Sequence, residues 1–222
     1  MNEGHPLVSR LYDPVMAIPE RLALKSHREY LAADLDGRVL DVGSGTGAMY
    51  PYFERSAATE FHAIEPDPHM RERAHRRATN ASFDVQITDA RAERLPFADD
   101  SFDAVVASLV FCTIPDPALA LDEIARVLRS GGEFRFLEHV RATGKVGRVH
   151  DIFTPAWHTL AGGCHLNRET GKLFQTDDRF QLVDYRRFQS RFAPMIRGRL
   201  RRNQKSSGLR SILASDSRVI DN

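Results

Sequence analysis

Two cysteines, Cys112 and Cys164, are all that 222 residues contain. That is too few for a disulfide framework and fits a reducing compartment, so both are expected as free thiols. Net charge is nearly absent: Lys+Arg 31 against Asp+Glu 30 leaves +1, and no global field points to nucleic acid or an acidic partner. No apolar run reaches the roughly 18 residues that could span a bilayer, and the opening MNEGHPLVSRLYDP lacks the apolar core of a signal peptide. A cytoplasmic protein is expected. Internal repeats and low-complexity blocks are missing too, and 42% hydrophobic against 27% charged residues leaves one globular domain with a sizeable core as the default.

What is present is alternation. Residues 1–35 carry apolar positions at helical spacing, broken by Pro14 and Pro19, and predict a cap of two short helices. GRVLDVGSGTGAMYPYF then reads as a strand at about 38–42, a glycine turn and a helix. FHAIE, at 61–65, is a second strand, followed by a polar helix from Asp67 to Thr79. ASFDVQIT and SFDAVVASLVF supply strands three and four, with RAERLPFADD as a loop between them. In PDPALALDEIARVL, Ala118, Leu121, Ile124 and Leu128 share one helical face. Ser130-Gly131-Gly132 stops that helix before EFRFLEHV, the fifth strand. Five such units imply an α/β, doubly wound, mostly parallel sheet with helices on both faces. Segment 141–165 has no clean period, and 141–170 is expected to be a substrate lid. A helix at NRETGKLFQTD and two strands from 179 to 202 close the domain, which spans 36–202, and a polar tail occupies 203–222.

The loop Asp41-Val42-Gly43-Ser44-Gly45-Thr46-Gly47-Ala48 satisfies G-x-G-x-x-G/A, so its glycines alone fit a dinucleotide as well as other ligands. Charge separates the readings. An acid two residues before the first glycine would repel a pyrophosphate but welcome a cationic amine, and Asp41 stands there. Glu65 closes the second strand 22 residues after Gly43, where a carboxylate can accept from both ribose hydroxyls. Two acids favour S-adenosylmethionine over a nicotinamide dinucleotide.

From 37 to 140 the chain resembles the class I S-adenosylmethionine-dependent methyltransferases, a Rossmann-like fold of seven strands with an antiparallel closing strand. VLDVGSGTG, AIEPDPHM, AERLPFADDSFDAVVAS and LDEIARVLRSGGEF carry the likeness in order. The resemblance implies that Asp41, Gly43, Ser44, Gly45 and Gly47 hold the methionine part of the cofactor and Glu65 the ribose. It places Pro66 and Met70 near the adenine, Ala92 and Glu93 in the adenine loop, and Ser108 at the methionine end; S-adenosylhomocysteine would be the product. The chain departs from many relatives in carrying Ala90-Arg91 where they have Gly-Asp before Ala-Glu, with Asp89 as the nearby acid.

SLVFCTIPD, FLEHV and DIFTPAWHTLAGGCHLNRETGK resemble the branch containing the alkyl-thiol S-methyltransferases of animals. Those proteins carry a hydrophobic N-terminal anchor of which this sequence shows no sign. The implied acceptor is small and fairly apolar. An apolar wall is expected from Phe111, Phe153, Trp157, His158 and Cys164. A thiol acceptor has a pKa near 8.5 and is helped by a base, for which His139 is the candidate, with Glu138 beside it. The two alternate in a strand, so at most one reaches the site while the strand persists. A metal is not expected, since His139, His150, His158, His165, Cys164 and Asp151 show no paired C-x-x-C or H-x-x-x-H spacing. Three other readings remain open: N- or C-methylation of a phospholipid or quinone-type acceptor, a non-catalytic S-adenosylmethionine-binding module, and a dinucleotide oxidoreductase. Arg186 to Lys205 holds eight Lys or Arg and no acid. That charge attracts anionic lipid at a peripheral contact, or RNA, but its plainer reading is a solvated strand pair. No nucleic-acid module is evident, and oligomeric state is left open.

Overall fold

A computed structural model describes residues 13–14, 24–160, 163–188 and 194–204. The expected first helix of the N-terminal cap, and the tail from 205 onward, lie outside the described residues. Seven strands form one sheet: β1 (Asp36–Val42), β2 (Ala57–Ile64), β3 (Val85–Thr88), β4 (Phe102–Ser108), β5 (Leu128–His139), β6 (Phe180–Phe188) and β7 (Met195–Arg202). Their order is β3-β2-β1-β4-β5-β7-β6. β1 to β5 pair in parallel, β7 runs antiparallel to β5, and β6 runs antiparallel to β7. The closing strands therefore enter by insertion, with β7 between β5 and β6.

Alternate strand residues feed two cores. Leu40, Val42, Val105, Phe134 and Phe136 meet Leu121 and Ile124 on one side. Val39, Ala104, Val106 and Leu137 meet Leu31, Tyr50 and Phe53 on the other. The covering helices are α1 (Lys25–Ala32), α2 (Tyr50–Phe53), α3 (Pro68–Ala78), α4 (Pro117–Val127), α5 (Gly144–Leu160) and α6 (Thr170–Thr176). α3 and α4 start alike. Asp67 accepts from His69 and Met70 N–H at 2.8 and 3.1 Å, and Asp116 accepts from Ala118 and Leu119 N–H at 3.0 and 3.1 Å. Each cap precedes a proline whose missing N–H costs nothing in a first turn.

Three boundaries differ from the sequence reading. β4 ends at Ser108 instead of running through Phe111, because Leu109 turns to φ 61° and the next two N–H groups donate to the Glu138 carboxylate. α4 gives way directly to β5 at Leu128, and the glycines Gly131 and Gly132 lie within that strand where its register against β4 slips. Segment 144–160, read as aperiodic, is the helix α5 with Pro155 inside it. Its inward residues are Gly147, His150 and Thr154, at helical spacing but not apolar, while Val149, Ile152, Phe153 and Trp157 face out. An apolar period could not reveal a helix whose buried face is polar.

Candidate functional site

β1 and β4 are neighbours whose outgoing connections lead to opposite sides of the sheet, and such a switch point leaves a crevice at the carboxyl ends of the strands. Residues after β1, β2 and β4 enclose a cavity of about 380 Å³ there. Ten of the eleven residues expected at the cofactor line it: Asp41, Gly43, Ser44, Gly45, Glu65, Pro66, Met70, Ala92, Glu93 and Ser108. Gly47 instead shapes the turn. Its N–H donates to Ser44 O at 2.8 Å, and at φ 79° an added Cβ would stand 2.6 Å from Cε2 of Tyr50.

Asp41 is 2% exposed, and its Oδ2 has no hydrogen-bond partner among the described residues. Burial pushes its carboxyl up to about 7, with Arg28 opposing and Glu65 adding to the rise. Ser108 Oγ is likewise buried and without a partner among the described residues. Orphaned buried oxygens in a cavity wall fit a ligand that brings its own donors, as an ammonium does. Glu65 is held by the loop itself: Gly45 N–H donates to Oε2 at 2.9 Å and Asp67 N–H to Oε1 at 2.8 Å. Burial raises its pKa while those two bonds oppose the rise. Each carboxylate oxygen keeps a second lone pair for a hydroxyl. Gly43, at φ 65°, lies so close to Val110 that a Cβ would reach Cγ2 at 2.1 Å, whereas Gly45, at φ 57°, faces open space. The loop thus needs glycine for backbone conformation and leaves its surface clear for a ligand.

Arg28 was not anticipated. It is 1% exposed on α1 and lines the cavity near Asp41. Leu24, Arg28, Leu31 and Leu35 recur at intervals of three and four, so an arginine in an apolar stripe was the available signal. Asp89 does not enter the cavity; it pairs with Arg71 at 2.9 Å. Arg91, in the departing Ala90-Arg91 pair, lines the wall instead.

On the acceptor side the wall comes from the loop after β4, Leu109, Val110, Thr113, Ile114 and Pro115, with His158 from α5 and Gly163 beyond it. Of the five residues expected there, only His158 lines the cavity. Phe111 is fully buried and packs edge-on against Phe174, with centroids 4.9 Å apart. Phe153 and Trp157 are 60% and 45% exposed. Cys164 sits behind the wall.

Glu138 and His139 also lie outside the lining. Glu138 is fully buried, and its carboxylate accepts from Val110 and Phe111 N–H at 3.1 and 3.2 Å. It clamps the loop that walls the acceptor side. Burial raises its pKa to about 8 against those bonds. His139 is pushed down to about 4 by burial and by His150, and both ring nitrogens are buried without a partner among the described residues. A strap crosses the same loop: His165 N–H donates to Cys112 O at 2.8 Å and Arg168 Nη1 to Phe111 O at 3.2 Å. It carries Cys164 to Cys112. Sequence spacing argues against a metal, yet Cys112 Sγ, Cys164 Sγ and a ring nitrogen of His139 all lie within 4.8 Å of one another. Asp151, another candidate ligand, is paired with Arg141 at 2.7 Å.

The family model described as "Methyltransferase domain" matches residues 40–136. Thiol S-methyltransferase TMT1A of Homo sapiens is 30% identical over 170 residues, which cover 74% of this chain and 69% of that protein. Phosphatidylethanolamine N-methyltransferase of Cereibacter sphaeroides is 31% identical over 131 residues, covering 55% of this chain and 64% of the relative. A solved SAM-dependent methyltransferase of Methanosarcina mazei superposes with a TM-score of 0.63 at 19% identity, covering 79% of this chain and 97% of that one. It bears on the fold alone.

Proposed function

The chain belongs to the S-adenosylmethionine-dependent methyltransferases, and from that premise we propose that it methylates a small, apolar thiol. The observation that carries this reading is the acceptor-side wall. Leu109, Val110, Ile114 and Pro115 offer hydrocarbon, Thr113 and His158 offer polar atoms, and none of the described lining residues on that side is an acid. An amine is cationic at neutral pH and would want a carboxylate there; a neutral thiol does not. Likeness to a thiol S-methyltransferase supports the same choice.

S-adenosylmethionine supplies a methyl group on a positively charged sulfur. Asp41 and Arg28 offer opposite charges side by side, suited to an amino acid's ammonium and carboxylate. Glu65 would accept from the ribose hydroxyls, and Pro66, Met70 and Ala92 would give the base an apolar seat. The protein's part in an in-line displacement is to align the acceptor and keep water away. His158 is the ring on the acceptor side able to take the thiol proton, and this is where the base role moves from His139.

Methyl transfer from labelled S-adenosylmethionine to a small alkyl thiol, beside matched amine and phenol acceptors, tests the reading. Turnover is expected on the thiol alone, and His158→Ala should lower kcat/KM by about 100-fold or more if it acts as base. Turnover on the amine or phenol but not the thiol would sink the proposal. The second reading, N-methylation of a phospholipid headgroup, draws on the Cereibacter sphaeroides relative, and the amine arm addresses it.

A further inference from the structure

We propose that Cys112, His139 and Cys164 bind one zinc ion at a site behind the acceptor-side wall, separate from the cofactor cavity. Three elements bring the ligands together: the loop after β4 carries Cys112, the carboxyl end of β5 carries His139, and the strap after α5 carries Cys164. Their ligand atoms lie within 4.8 Å of one another. A tetrahedral zinc with bonds of about 2.3 Å to sulfur and about 2.0 Å to nitrogen holds such atoms somewhat under 4 Å apart, so contraction by about an ångström completes the set.

Several features mark this as more than chance proximity. His139 keeps both ring nitrogens buried and without a hydrogen-bond partner among the described residues. A buried imidazole lone pair left unmatched is costly, and a metal ion takes it. The three ligands are tied to one another through the backbone. Glu138, the residue before His139, accepts from Val110 and Phe111 N–H, at 3.1 and 3.2 Å, just ahead of Cys112. His165, the residue after Cys164, donates its N–H to Cys112 O at 2.8 Å. Neither cysteine is in a disulfide.

The donor set selects the ion. Two thiolates and an imidazole suit zinc and disfavour magnesium or calcium, which want oxygen. On binding, both thiols release their protons, His139 gives a neutral lone pair, and the dication is balanced by two thiolates. That neutrality suits a site this close to the buried Glu138. Three protein ligands leave a fourth position for water or another small ligand. Zinc at this site does not depend on which acceptor the enzyme methylates.

The full-length protein, reduced and stripped with a chelator, is titrated with Zn²⁺ alone against a chromophoric competitor, and with Co²⁺ in an absorption cell. About one ion per chain is expected, with Co²⁺ showing thiolate charge transfer and the intense visible bands of a tetrahedral site. Cys164→Ser should weaken Zn²⁺ by at least about 100-fold, while the melting shift with S-adenosylhomocysteine stays unchanged. Should the variant fail to fold, alkylation of the wild type decides: Zn²⁺ should protect both cysteines and a chelator should expose them. No uptake by the reduced wild type, or wild-type affinity in both Cys164→Ser and His139→Ala, overturns the site. So does a Cys112–Cys164 disulfide forming in air in a protein that takes no zinc when reduced; the pair would then be a redox couple.

Discussion

At the scale of single residues, the site is governed by buried charge. Asp41 must be ionised to hold an ammonium, yet burial lifts its carboxyl to about 7 in the free protein. Affinity for S-adenosylhomocysteine should therefore fall as pH drops from 8 to 6, by about tenfold in all and about fivefold over the last unit, because the ionised fraction of a carboxyl that titrates near 7 shrinks by those factors. Calorimetric titration across that range checks it, and Asp41→Asn should bind weakly with a flat profile. Arg28→Met should cost about 1.5–3 kcal/mol of binding, the range for a charge-assisted hydrogen bond, read in the same titration. A Kd unchanged in both variants would break the assignment of the methionine end. Glu138→Ala belongs to stability instead. It strands two buried N–H groups at about 1–3 kcal/mol each, so the melting temperature should fall by several degrees, about 2–4 °C for each kcal/mol in a chain of this size. These roles were unequally legible. Asp41 and Glu65 stand at positions fixed relative to the glycines, so spacing alone points to them. Glu138 and His139 sit side by side in a strand, and nothing local tells which faces a cavity, which a core and which neither.

At the scale of elements, α4 and α5 make opposite cases. α4 buries Leu121 and Ile124 completely, its apolar period is clean, and Leu121→Ala should cost about 2–5 kcal/mol by leaving a core void. α5 turns Gly147, His150 and Thr154 inward and leaves Ile152 75% exposed. Thr154 Oγ1 donates to His150 O at 2.6 Å, and His150 Nδ1 accepts from Ala142 N–H at 3.3 Å. Ile152→Ser should therefore shift the ligand-free melting temperature by no more than about 1–2 °C, in line with surface substitutions generally. Thermal denaturation of the pair measures both. A large loss from Ile152→Ser would mean that the outer face of α5 is covered in solution. This is also why segment 144–160 was unreadable as a helix: periodicity detects apolar faces, and this helix buries polar ones.

At the scale of the whole molecule, the sheet and its charges act together. The basic stretch that closes the fold is largely engaged within it. Arg201 reaches Glu133 at 2.9 Å, Arg197 stacks over the Tyr30 ring at 4.1 Å, and Arg202 pairs with Asp100. No helix among the described residues is long and apolar enough to cross a membrane. Asp41 and Glu138, at about 7 and about 8, both sit above their ordinary values of 3.8 and 4.5. Between roughly pH 4 and 8 the folded protein thus holds protons that the unfolded chain has already released, and ligand-free stability should fall as pH rises through that window, levelling off above about 8. The ligand works in the opposite sense. Ionised Asp41 favours binding, so the melting shift at fixed S-adenosylhomocysteine should grow from pH 6 to 8. Scanning fluorimetry with and without ligand tests both, and a shift that shrinks with pH would contradict the charge argument.

The sequence by itself determined the five-unit alternation and the parallel sheet it implies, and it pointed to the residues that line the cavity's glycine-loop end, because these rest on local signals: strand runs, proline-led helix starts, and an acid at fixed distance from glycines. Tertiary structure decided the acceptor end. Whether Phe111, Trp157 or His158 faces the cavity depends on where β4 stops and how α5 turns, and Glu138 sets the first from 28 residues away by capturing Val110 N–H. The meeting of Cys112, His139 and Cys164 was likewise invisible along the chain. Their separations are set by strand order and a crossing strap, and no local spacing encodes a contact that the sheet creates.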